Sequence, residues 1–114
     1  MPTTVITDEQ MRALLPTTKE YTVVILRAGP NLGTPEADGI IWEHARRNFA
    51  LRADGVLAIV CPIADGTDIH GVGVFNLDAD ATRRTMAGDP AVRAGLFTYE
   101  VHPCRSFPGD ALPA

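Results

Sequence analysis

The chain has 114 residues, 46% of them hydrophobic and 21% charged, with a formal net charge of -4. That is enough chain for one packed core and too little for two, and the acidic balance argues against a nucleic-acid partner, which would need a basic surface. No apolar run approaches the roughly 18 residues a membrane span requires, and residues 1–10 lack the basic start and apolar stretch of a secretory signal, so a cytoplasmic protein free of membranes is expected.

Residues 1–20 read as an extension to the domain. Thr7, with Gln10 three positions later, has the pattern of a helix cap, and Met11, Leu14 and Leu15 follow before Pro16. Residues 21–27 (YTVVILR) are rich in β-branched side chains and stop at Ala28-Gly29-Pro30, which makes them a strand. Thr34-Pro35-Glu36 combines a capping residue, a proline at the first helical position and an acid at the positive end of the dipole. The helix it starts is expected to run to about Ala53 and to end at Asp54-Gly55.

Residues 56–62 (VLAIVCP) form a second strand, turned at Ala64-Asp65-Gly66, and residues 71–77 (GVGVFNL) a third. Asp78 or Asp80 caps a short helix ending at Gly88, and Asp89-Pro90 opens one more helical turn closed by Gly95. Residues 96–102 (LFTYEVH) are the last strand, and Pro103, Pro108, Gly109 and Pro113 mark residues 103–114 as an irregular tail. The order within residues 21–102 is βαββαβ, which right-handed crossovers fold into a ferredoxin-like α+β domain with a four-stranded antiparallel sheet.

The strands are apolar on both sides. Tyr21, Val23 and Ile25 oppose Val24 and Leu26; strict alternation sets Val56, Ala58 and Val60 against Leu57, Ile59 and Cys61. Two helices cover one face of such a sheet, so a second copy of the chain is expected on the other, giving a homodimer.

Among residues able to carry chemistry, His44 comes first. At about 100° per residue, Ile41, Ala45 and Phe49 form an apolar stripe on the long helix, and Glu43, Arg46, Arg47 and Ala50 a wet arc. His44 falls on the apolar side with Asn48 one turn on. It is either a packed histidine bonded to Asn48 or a backbone carbonyl, or an imidazole at a cleft, suited to moving protons near neutral pH. Asp89 is a good cap before Pro90, and a carboxylate has a second oxygen with which to orient an imidazole. Whether it reaches His44 is not written in the spacing.

Arg27, at the end of the first strand, is a candidate for holding an anionic group. His70 and His102 lie at strand ends. Two cysteines, Cys61 and Cys104, are too few for a disulfide framework or a zinc cage, and Cys61 inside an apolar strand reads as a small buried hydrophobe. Three histidines without short, regular spacing give no metal site, and the glycines form no phosphate cradle, so neither metal nor cofactor is expected. Ser106, the only serine, offers no nucleophilic triad.

Three stretches resemble the YCII-related family: LRAGPN at 26–31, His44-Ala45-Arg46-Arg47-Asn48-Phe49 followed by Ala53-Asp54-Gly55 and an apolar strand to Pro62, and GDPAVRAGL at 88–96. The similarity spans residues 21–102. It implies a dimeric α+β barrel with a cleft in each subunit, and a paired histidine and aspartate there that fall on His44 and Asp89. The family is similar in build to muconolactone isomerases and includes a dehydrochlorinase of chloroaromatic breakdown. Cys61 stands where the family usually has glycine, in a position to narrow the pocket, and the 1–20 extension is unusual. The resulting expectation is a small cofactor-free lyase or isomerase, with His44 and Asp89 moving a proton and Arg27, Asn48 and Cys61 binding a small organic, aromatic-derived substrate. The other expectation is a homodimer that binds a ligand or partner without catalysis.

Overall fold

The computed structural model describes residues 3–114. Strand β1 (Lys19–Ala28) is its axis, pairing antiparallel with β3 (Ile69–Phe75) on one side and β4 (Phe97–Ser106) on the other; β2 (Leu57–Pro62) lies beyond β3, giving the order β2-β3-β1-β4. Helix α2 (Ala37–Ala53) joins β1 to β2, while α3 (Ala79–Ala87) and α4 (Pro90–Arg93) join β3 to β4. The domain is therefore α+β, a ferredoxin-like βαββαβ unit with a four-stranded antiparallel sheet.

Along β1, Thr22, Val24 and Leu26 are buried while Tyr21, Val23 and Ile25 are half-buried. The first set faces the helices and joins Ala37, Leu57, Phe75, Met86, Ala91, Leu96 and Phe97 in the core. Thr22 is polar but satisfied, its hydroxyl donating to the Leu77 carbonyl at 2.8 Å. The opposite face carries Val23, Ile25, Val72, Val74 and Ile59, with no helix over it.

Several boundaries differ from the sequence expectation for local reasons. Helix α2 begins at Ala37 without a side-chain cap, because the Thr34 hydroxyl instead donates to the Asn31 carbonyl at 2.8 Å and closes the preceding turn. Strand β4 continues through Pro103 to Ser106, so only residues 107–114 are irregular. Proline is tolerated there because β4 is an edge strand, paired on the β1 side alone. Between Leu57 (opposite Phe75) and Ile59 (opposite Val74), Ala58 is an extra residue on β2. This bulge breaks the expected alternation, so that Leu57 and Val60 share the helix-covered face while Ile59 and Cys61 lie on the open one. Cys61 is consequently exposed, not buried.

In the extension, α1 (Asp8–Leu14) starts with a complete capping box, Thr7 Oγ1 accepting from the Gln10 amide and Gln10 Oε1 from the Thr7 amide. None of its residues is buried, and Met11, Leu14 and Leu15 are exposed.

Candidate active site

Two connections, the loop after β1 and the turn from α4 into β4, meet at the end of the sheet where Ala28 pairs with Phe97. Asp78 caps α3 by accepting from the Ala81 amide, and α3 runs directly into the α4 turn, whose cap is Asp89. The loop after β1 locks against the end of that turn: Gly29 N donates to Leu96 O at 2.7 Å, Asn31 N to Gly95 O at 2.9 Å and Asn31 Nδ2 to Ala94 O at 2.9 Å. A Cβ on Gly29 would collide with the Gly95 carbonyl, so only glycine allows this approach. Asp89 is thereby held rigidly beneath α2.

Asp89 is 1% exposed, and both of its carboxylate oxygens are hydrogen-bonded. Its Oδ2 accepts from the amides of Ala91 (3.0 Å) and Val92 (3.1 Å), while Oδ1 lies 2.8 Å from His44 Nδ1. Capping and imidazole contact thus use different oxygens of one carboxylate. Burial drives this carboxyl up, but the His44 hydrogen bond and charge, together with the Val92 and Ala91 amides, outweigh it and hold Asp89 below the ordinary carboxylate range.

An ionised carboxylate only accepts, so His44 carries its proton on Nδ1 when neutral, leaving the Nε2 lone pair free to accept. Asn48, one turn along α2, brings Nδ2 to 3.2 Å from that Nε2. His44 is therefore fixed from both sides. Arg47, assigned to the wet arc by helical spacing, folds back to put Nη1 4.0 Å from Asp89 Oδ1, adding positive charge above the buried carboxylate.

His44 and Asn48 line a cavity of about 680 Å³ between α2 and the sheet, well inside the range of small-molecule sites. Its walls are mainly apolar, with Leu26, Leu57, Val60, Phe75, Met86 and Phe97 among them. Gly71 and Gly73 of β3 also border it, and their missing side chains leave the space open. Phe49, expected on the inward stripe of α2, is 67% exposed and forms the rim.

The remaining candidates divide. Cys61 borders the cavity, but its register opposite Val72 puts its side chain on the open face. Arg27 does not border it. Its guanidinium pairs with Glu100 and, at 3.1 Å, with Asp68, and Glu100 also meets His102 Nε2 at 2.9 Å. The His102 bond first, then Arg27, hold the Glu100 carboxyl below its ordinary range. This is a charge network on the open face, so Arg27 is not brought together with His44. His70 is the cavity residue that sequence reasoning passed over: it lines the wall and its ring centre lies 5.5 Å from that of Phe97, which in turn lies 5.2 Å from that of His44.

Among the described residues, no three His, Cys, Asp or Glu side chains are grouped to hold a metal ion, and no helix is long and apolar enough to cross a membrane. A scan against protein-family models finds no match for the chain, and a search of curated proteins finds none either.

Proposed function

We propose that the chain is a small cofactor-free enzyme of the YCII-related type that moves a proton on a small organic substrate, as a lyase or isomerase. The observation that carries the reading is the buried Asp89 carboxylate on His44 Nδ1, which leaves the distal nitrogen at an apolar cavity. In this role Asp89 selects the tautomer and stabilises the imidazolium, and His44 is the general base or acid. Asn48 holds Nε2 until a substrate displaces it. The three stretches that resemble the family contain both residues of the pair. The homodimer belongs to the same proposal, supported by the uncovered apolar face of the sheet.

A second reading is favoured by one feature: with Asp89 engaged in capping and Nε2 already receiving Asn48, every polar atom of the pair is satisfied without a substrate. On that reading the cavity belongs to a homodimer that binds ligands without acting on them.

Deuterium incorporation from heavy water into acetophenone, an uncharged carbon acid, separates the two. The enzyme reading expects exchange well above buffer, loss of most of it in both His44→Gln and Asp89→Asn, and a double variant little worse than either. Bound acetophenone with no accelerated exchange would leave only the ligand-binding reading.

A further inference from the structure

Strand β3 carries one residue more than β1 where they pair. Leu26 stands opposite Gly71 and Arg27 opposite Ile69, so His70 is the inserted residue of a β-bulge. Bulges of this kind re-aim a side chain, and here the re-aimed side chain is an imidazole in the wall of the cavity. Hydrogen bonds fix both flanks of the bulge, Ile63 N donating to His70 O at 3.1 Å and Ala28 N to Asp68 O at 2.8 Å. His44 and His70 flank the same Phe97 ring, with ring centres 5.2 and 5.5 Å from it, so their own ring centres are no more than about 10.7 Å apart and one small molecule in the cavity can lie between them. Asp65, in the turn before β3, is hydrogen-bonded to the Thr67 amide and hydroxyl and makes no hydrogen bond to His70. The Thr67 hydroxyl and amide are the main reason the Asp65 carboxyl lies low, and the charge of His70 adds to them.

The described residues that line the cavity include no Lys, Arg, Asp or Glu. A charged ligand entering it would give up hydration to mainly apolar walls and meet no side chain of fixed charge, only the imidazoles of His44 and His70. The walls favour an uncharged, largely apolar molecule, and Arg27, paired with Glu100 and Asp68 away from the cavity, is not there to hold an anionic one.

We propose that His70 is a second proton-transfer residue of this cavity and that the two histidines act on an uncharged, mostly apolar carbonyl compound, one removing a proton and the other delivering one. The inference rests on the reading of His44 as a base. His44 Nε2 takes a proton from the carbon beside the carbonyl, the C–H electron pair becomes the new C=C bond, and the carbonyl π pair moves onto oxygen, giving a dienolate. Protonated His70 then gives its proton to the far carbon: the original alkene π pair forms the new C–H bond, the enolate C=C pair shifts to the adjoining bond, and an oxygen pair re-forms the carbonyl. The net change is a 1,3-shift of one proton, and the two imidazoles return to their starting states by exchange with solvent.

The probe is 3-cyclohexenone in heavy water, followed for deuterium at the carbon between carbonyl and alkene and for conversion to 2-cyclohexenone. The unaltered protein is expected to do both. His44→Gln loses both, whereas His70→Gln lowers the ratio of conversion to exchange by tenfold or more. His70→Asn serves in the same comparison if the glutamine variant melts early. An unchanged ratio of conversion to exchange on replacing His70 overturns this inference while the His44 base stands; no exchange by the unaltered protein overturns both. Benzyl alcohol is expected to compete with the probe and benzoate not, and equal competition would remove the uncharged class.

Discussion

Asp89 performs two tasks because a carboxylate presents two oxygens in fixed geometry, one toward the amides of α4 and one toward His44. Replacing it by Asn separates the tasks. Asn caps a helix about as well as Asp, but its amide nitrogen would face His44 and force the proton from Nδ1 to Nε2, the wrong tautomer for a base. Proton-transfer activity is expected to fall by roughly three to four orders of magnitude, by analogy with hydrolase triads, while the fold survives at a cost of about 1–3 kcal/mol. The pH dependence carries the same signature. Because the folded carboxyl is held low, its contribution to stability is present above the unfolded value of about 3.9 and disappears as pH falls through the folded value. Urea unfolding of both forms is therefore expected to give a stability gap that narrows below about pH 4. A gap of constant size down to pH 2 would mean that Asp89 is not stabilised in its charged form.

At the scale of elements, the site depends on how closely the loop after β1 approaches the turn between α4 and β4. Gly29→Ala places a methyl group against the Gly95 carbonyl and the Leu96 backbone, and relieving that clash moves the turn that carries Asp89. The expected cost is about 1–3 kcal/mol, a drop in Tm of roughly 5–15 °C by scanning calorimetry. Gly33→Ala, in the same loop but with no atom within 4 Å of the added methyl, is the control and is expected to be neutral or slightly stabilising. Equal melting of the two variants would show that the loop is not held against the turn.

Across the whole molecule, the two sheet faces are unequal. One is buried under α2, α3 and α4, and the other offers Val23, Ile25, Ile59, Val72 and Val74 beside the Arg27–Glu100–His102 network. With apolar strands on a face that no helix covers, the protein is expected to sediment at twice its 12.2 kDa chain mass at micromolar concentration. Val23→Asp is expected to dissociate or unfold it, since an unpaired charge buried at an interface costs several kcal/mol. A monomer for the unaltered protein under those conditions would remove the dimer.

The four strands, the α2 terminus at Asp54-Gly55 and the Asp89 cap were legible in the sequence because each depends on a few neighbouring residues: β-branched runs, Asp before Pro, Gly after the last helical turn; the α3 cap was narrowed to Asp78 or Asp80, and the structure gives it to Asp78. The start of α2 was misread because the Thr34 hydroxyl had a competing acceptor at Asn31 that local pattern does not rank. What lay beyond the sequence depends on register between strands. A one-residue bulge at Ala58 put Cys61 on the open face, another at His70 accompanies an imidazole in the cavity wall, and pairing across the sheet gave Arg27 to Glu100 and Asp68. The contact between His44 and Asp89 spans 45 positions; periodicity placed the histidine on an inward face and the proline marked the cap, but only the packing of α2 over the α4 turn brings the two side chains to hydrogen-bond distance.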